Sequence, residues 1–144
     1  MPVGFHIFPD RGLVVVRYSG VAAIRDTVEA TKAYVSHPDF AHGQKQLVDL
    51  TELTDYERDY VGFMLMQASK AGRFASSGTQ SLVVYVAPTP IGQELAALFL
   101  KSWDDVDAVV PMVQESEAQA LAMLGQPETS IPVLLAAVDG PALQ

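Results

Sequence analysis

The stretch Gln46-Leu47-Val48-Asp49-Leu50-Thr51-Glu52-Leu53-Thr54-Asp55 decides the fold, because a short apolar run gives way there to a polar turn. Leu47, Val48 and Leu50 are strand formers, and Asp49 interrupts them where a buried strand nears its carboxyl end. Thr54 with Glu57 three residues on has the spacing of a capping box, in which the hydroxyl takes an orphan backbone donor and the carboxylate reaches back. The pattern predicts a strand that ends near Thr54 and a helix over residues 55–74.

Upstream, Val3, Phe5 and Ile7 alternate, and a second apolar run over residues 13–18 follows the turn Pro9-Asp10-Arg11-Gly12, which predicts an antiparallel hairpin. Ser19-Gly20 is expected to end the second strand. Ile24, Val28, Thr31 and Val35 then recur at helical spacing, and Pro38 forces this first helix to close near Ser36. A helical crossover of this length places the organising strand parallel to its predecessor.

Downstream of a polar loop, Ala75-Ser76-Ser77-Gly78, the run Ser81-Leu82-Val83-Val84-Tyr85-Val86-Ala87 has the near-continuous apolar character of a strand covered on both faces, and is the candidate for the central strand. Thr89 as N-cap with Pro90 at the first helical position opens a third helix through Ile91, Leu95, Leu98 and Phe99 to about Trp103. Pro111 makes the last strand, over residues 108–113, an edge strand. Ser116 with Gln119 opens a short helix that stops at Gly125. These elements predict one α/β domain over residues 1–125, with a mixed five-stranded sheet, an N-terminal antiparallel hairpin, parallel crossovers and four or five helices. Residues 126–144 hold Pro127, Pro132 and Pro141 around the apolar run Val133-Leu134-Leu135-Ala136-Ala137-Val138, and are expected to dock on the domain or to stay partly disordered.

Composition narrows the function classes. The chain of 144 residues carries nine basic and seventeen acidic side chains, a formal charge of −8, which opposes binding to phosphate backbones and to anionic membranes. Without cysteine there is no disulfide, thiolate metal site or cysteine nucleophile. The opening Met1-Pro2-Val3-Gly4-Phe5-His6 lacks a basic region followed by an apolar core, and no apolar run approaches the roughly 20 residues of a membrane span. A soluble cytoplasmic protein, with no nucleic-acid partner, is the expectation.

Motifs that carry chemistry are sparse. There is no G-x-S-x-G and no phosphate loop. Asp49, Glu52 and Asp55 lie where ligand sites gather in parallel sheets, at a strand's carboxyl end, but no nucleophile pattern accompanies them. His37, Asp39 and His42 have no spacing that argues for zinc, and Pro38-Asp39 reads as a turn starter. Asp104, Asp105 and Asp107 lack the glycine and spacing of a calcium loop. No catalytic residue, metal or cofactor is assigned.

Tyr18-Ser19-Gly20, His37-Pro38-Asp39-Phe40 and Leu47-Val48-Asp49-Leu50 resemble the bacterial SpoIIAA-like proteins, small domains grouped with the STAS anti-sigma-factor antagonists and more distantly with the CRAL-TRIO lipid-binding fold. The resemblance covers residues 3–124. It implies a five-stranded mixed sheet and a protein-interaction role, and says little about a specific activity. Signalling members carry a phosphorylatable residue in a D-S-[ST]-G turn, where this chain reads Thr54-Asp55-Tyr56-Glu57, so the acceptor serine is missing. Thr51 and Thr54 are the remaining candidates for a phosphate switch at a helix N-terminus, against the plainer reading of Thr54 as a cap.

The second helix is apolar over too much of its circumference. Tyr56, Tyr60, Phe63, Met64, Leu65 and Met66 exceed the single stripe that packing on a sheet requires. Three covers are open: the third helix or the tail, a second copy in an isologous homodimer, or a ligand in an apolar pocket between the second and third helices lined by Phe63, Met66, Leu95, Phe99 and Trp103. The function expected is accordingly a non-enzymatic, homodimeric interaction module. Its alternative is a protein that binds an apolar small molecule or lipid.

Overall fold

Five strands lie side by side in chain order: β1 (Val3–Phe8), β2 (Leu13–Ala22), β3 (Lys45–Tyr56), β4 (Ser81–Val86) and β5 (Val109–Gln114). β1 runs antiparallel to β2 and every other pairing is parallel, the mixed sheet that the alternation and the crossover lengths predict. This computed structural model describes residues 2–75, 80–104 and 106–138. The readings of Ser76-Ser77-Gly78, of Asp105 and of Pro141 with the end of the tail lie outside the described residues.

The helices are α1 (Ile24–Val35), α2 (Tyr60–Ala75), α3 (Pro90–Ser102), α4 (Glu117–Met123) and α5 (Ile131–Val138). Strand alternation sends Val14, Val48, Val83 and Tyr85 to one face, where they pack with Tyr34 of α1, Phe63 of α2 and Phe99 of α3. Leu13, Val15, Leu47, Val84 and Val86 point the other way, against Leu121, Leu124, Ile131 and Leu134 of the last two helices and their connection. β4 is buried along nearly its whole length, but β3 holds the middle of the sheet. Pro111 lies on the edge strand β5, where a missing ladder donor costs nothing.

The organising strand runs further than the sequence pattern predicts. β2 does not end at Ser19-Gly20 but continues to Ala22, pairing with β3 as far as Tyr56 through irregularities at Arg17/Ser19 and Gly20/Val21. Gly20 takes a left-handed φ of 65° there, which glycine supplies without steric cost. Thr54 therefore lies within a strand, and the capping box with Glu57 does not form. Glu57 instead accepts the backbone N–H of Ile24 at 2.9 Å and so serves the first turn of α1. α2 begins at Tyr60, and Asp59 is its cap, its carboxylate accepting the Gly62 N–H at 3.0 Å.

Other local signals place their elements as read. Thr89 accepts the Gly92 N–H at 3.1 Å with Pro90 at the first helical position of α3. Gly92 lets α3 approach the sheet, since a Cβ there would lie 3.3 Å from the Leu50 carbonyl oxygen. Ser116 caps α4. Beyond Gly125 regularity resumes: Arg11 donates to both carboxylate oxygens of Glu128, at 2.8 and 3.0 Å, and α5 then lays Ile131 and Leu134 into the core.

Candidate functional site

The sheet face under α1, α2 and α3 is built around Phe99. Its ring stacks on Tyr85 at 4.9 Å and meets Tyr18 and Phe63 edge-on at 6.1 and 5.2 Å. Trp103 donates its indole N–H to the Tyr85 hydroxyl at 2.9 Å. Of the residues singled out by the sequence, Tyr56, Phe63, Leu95, Phe99 and Trp103 are buried in this cluster, Met64 and Met66 pack partly against it, and Tyr60 is half exposed. Desolvation raises the hydroxyl pKa of Tyr18 to about 12, partly opposed by its hydrogen bond with Thr27, and raises that of Tyr85 further.

Between the second and third helices the structure leaves a cavity of about 20 Å³ walled by Phe63, Met66, Leu95 and Phe99 together with Tyr18 and Tyr56, and Trp103 is not among its walls. That is room for about one water. More space lies between α1 and α2. An outer recess of about 60 Å³ is lined by Val28, Thr31, Lys32, Met66, Ser69 and Lys70. An inner cavity of about 40 Å³ shares Thr31 and Lys70 with it and reaches over the sheet to Val48 and Phe99.

Lys70 is the residue that sequence reasoning missed. The residue is partly exposed, and desolvation lowers its pKa to about 8. It lies 5.6 Å from the ring centre of Phe99 and 5.7 Å from that of Trp103. Among the described residues no carboxylate pairs with it. The signal was present in the sequence: α2 buries Phe63, Gln67 and Ala71, and a lysine one position from that stripe must send its stem inward.

The carboxylates of the organising strand do not form one group. Asp49 is buried, accepts the Thr51 N–H at 3.1 Å and the Thr51 hydroxyl at 2.6 Å, and lies 3.4 Å from the Arg17 guanidinium. Glu52 is exposed and, with Arg17 and Leu135, lines an open groove of about 400 Å³ across β1 and β2. Asp55 accepts from Arg58 at 2.6 Å, and that hydrogen bond holds its carboxyl below the usual range. Arg58 also covers the Tyr56 ring at 4.6 Å, while the Tyr56 hydroxyl donates to Glu94. His37 closes its turn by accepting the Asp39 N–H at 3.0 Å, and no three His, Asp or Glu side chains among the described residues are placed to share a metal ion.

The apolar excess of α2 has a definite location. Val61 is 72% and Leu65 67% exposed, Tyr60 beside them is 50% exposed, and Ala68 and Gly72 continue the same outward stripe. Thr51 and Thr54 are exposed on β3, neither at a helix N-terminus.

No family model matches the chain, and no curated protein matches it in sequence. Among solved structures it is similar to that of the anti-sigma factor antagonist SpoIIAA in its unphosphorylated form, with a TM-score of 0.50 and 9% identity, over 85% of this chain and 97% of that one. The likeness shows a SpoIIAA-like α/β fold. No helix among the described residues is long and apolar enough to cross a membrane.

Proposed function

We propose that this chain is a non-enzymatic protein-interaction module that pairs with a second copy of itself through the outward face of α2. The observation that carries this reading is the stripe of Val61, Leu65, Ala68 and Gly72, exposed on a helix whose other side already fills the core. Its large residues, Val61 and Leu65, precede its small ones, Ala68 and Gly72, and none of the four carries a charge. In an isologous, antiparallel pair each Leu65 can seat over the Ala68 or Gly72 of the other copy, which is self-complementary packing. The fold supports a regulatory role through protein contact, because the similar solved structure is that of an anti-sigma factor antagonist.

In this reading the module works without a phosphate switch on β3. The Thr51 hydroxyl donates to the Asp49 carboxylate, so a phosphate there would meet a like charge, and Thr54 lacks the helix N-terminus that would favour an anion.

Sedimentation velocity tests the reading. The wild type is expected to sediment as a dimer and Leu65→Glu as a folded monomer, whereas a monomeric wild type, or a dimer indifferent to Leu65→Glu and Val61→Glu, would overturn it.

A further inference from the structure

We propose that the groove across β1 and β2 is a binding site for a free α-amino acid with an apolar side chain, its carboxylate held by Arg17 and its ammonium by Glu52. The groove opens on the sheet face that carries α5, and α2 packs on the other face, so this reading and the pairing of α2 can each fail without the other.

Arg17 is aimed before a ligand arrives. Asp49 is buried beside it, with Oδ1 accepting both bonds from Thr51 and Oδ2 lying 3.4 Å from the Arg17 Nε. That ion pair engages the guanidinium at Nε. Its terminal amino groups have no acceptor among the described residues, and 43% of the side chain is open to solvent. The planar fork that remains matches a carboxylate, which accepts two parallel N–H bonds from it.

Space for that carboxylate lies over Gly4, the cross-strand partner of Arg17 on β1. Gly4 does not have the left-handed φ of Gly12 and Gly20, and a Cβ built on it would meet nothing within 4 Å. Neither the backbone conformation nor packing against the protein requires glycine here, whereas an open groove floor does.

A strand irregularity supplies the opposite charge. Leu50 and Leu53 both enter the aromatic core, an odd spacing that a regular strand would split between its faces. The register shift between Arg17 and Ser19 accounts for it: two steps along β2 match three along β3, from Asp49 to Glu52, and Glu52 turns into the groove. Arg17 and Glu52 thus share one groove, yet no ion pair joins them, and Glu52 has no other charged partner among the described residues. A zwitterion set between them satisfies both charges, while a phosphate would meet the like charge of Glu52. Val15 and Leu135 line the same groove and offer apolar contact to the side chain. Its volume of about 400 Å³ is within the roughly 300–1,000 Å³ of small-molecule sites.

Calorimetric titration of the full chain with L-leucine tests the proposal, read in parallel by the NMR signals of the His6 imidazole, which lines the groove. Saturable binding that shifts His6 is expected. Two analogues keep the side chain and change the head: 4-methylpentanoate lacks the ammonium and 3-methylbutylamine lacks the carboxylate, and each should bind at least about tenfold more weakly. Glu52→Gln should weaken L-leucine by about fivefold or more and leave 4-methylpentanoate unchanged, because only the ammonium loses its partner. Gly4→Val fills the groove floor from an exposed strand position and should abolish binding in a folded chain. No saturable binding of L-leucine by the folded wild type, equal binding of either analogue, or unchanged affinity in Glu52→Gln or Gly4→Val would each overturn the assignment. Arg17→Gln should also abolish binding, but it leaves Asp49 buried without its cation. If that variant does not fold, the analogues and the other two variants still decide the matter.

Discussion

The ammonium of Lys70 stands 5.6 Å from the ring centre of Phe99, inside the face of the sheet that carries the protein's aromatic core. Phe99 is held on its other contacts by Tyr85, Tyr18 and Phe63, so the lysine rests on a rigid platform. Desolvation lowers the Lys70 pKa to about 8, so the contacts with the two rings do not fully offset the cost of removing water from the charge. The charge is therefore less favourable in the folded state than in the unfolded chain, and its removal or neutralisation has measurable consequences.

Stability should rise with pH above neutrality. Lysine is a base, and burial makes the folded protein shed the Lys70 proton near pH 8, whereas the unfolded chain keeps it to about 10.5. Between those values the unfolded state binds more protons, so the unfolding free energy climbs with pH, and below about 8 the full cost is present. Tyr18, Tyr34 and Tyr85 line the same cavity and are kept protonated by burial beyond their ordinary value of 10.0, so stability falls again once the unfolded tyrosines ionise. Lys32, the other charge on the cleft, is exposed. Urea unfolding across the range should give a maximum between about pH 9 and 10. Lys70→Met should lose the climb and gain up to about 3 kcal/mol at neutral pH, at about 1.4 kcal/mol per pH unit.

Phe63 and Leu65 separate the two sides of α2. The sequence groups both with the surplus apolar residues of this helix, yet Phe63 is 5% exposed and Leu65 67%. Phe63→Ala should cost about 3–5 kcal/mol through the void left against Phe99. Leu65→Glu should leave the unfolding midpoint of the monomer within about 0.5 kcal/mol of wild type. Thermal melts at low concentration read both, and a large loss in Leu65→Glu would place that side chain in the core.

The start of α2 gives a third test. Asp59→Ala removes the acceptor of the Gly62 N–H and should cost about 1 kcal/mol. Thr54→Ala changes an exposed strand position and should cost less than about 0.5 kcal/mol. The opposite ranking in chemical denaturation would return the cap to Thr54.

What could be read from the sequence follows the range of the interactions involved. Thr89 with Pro90 and Ser116 cap their helices through bonds spanning three residues, so local spacing announces them. Thr54 with Glu57 has equally good local spacing but loses to pairing with β2, a partner more than thirty residues away, and Glu57 is drawn to Ile24. Gly20 reads as a stop in the sequence but bends a strand that stays paired, because a glycine that bends a paired strand and one that ends it look alike in one dimension. The site shows the same division. The aromatic cluster is legible as apolar periodicity, whereas the cleft depends on α1 lying beside α2, which no pattern within either helix encodes.

The chain beyond Gly125 provides the last prediction. Its composition, with three prolines around an apolar run, allowed either docking or disorder, and the sequence set the domain boundary before it. In the structure Ile131 and Leu134 are almost wholly buried against Leu13, Leu47 and Val84, on the sheet face opposite the aromatic cluster. The connection is held by the paired bonds from Arg11 to Glu128, by a further one to Gln126 at 3.0 Å, and by Glu117 accepting the Ile131 N–H at 2.8 Å. α4 is short, so without α5 that face would expose an apolar surface no other described element covers. Leu134→Ala should therefore cost about 2–5 kcal/mol, as for a core leucine, and Arg11→Ala should cost less because its ion pair is partly exposed. Truncation after residue 126 should expose enough apolar surface to bind a reporter dye and lower the melting temperature by more than either substitution. A truncated chain as stable as the full one would make the tail an appendage to a domain that folds without it.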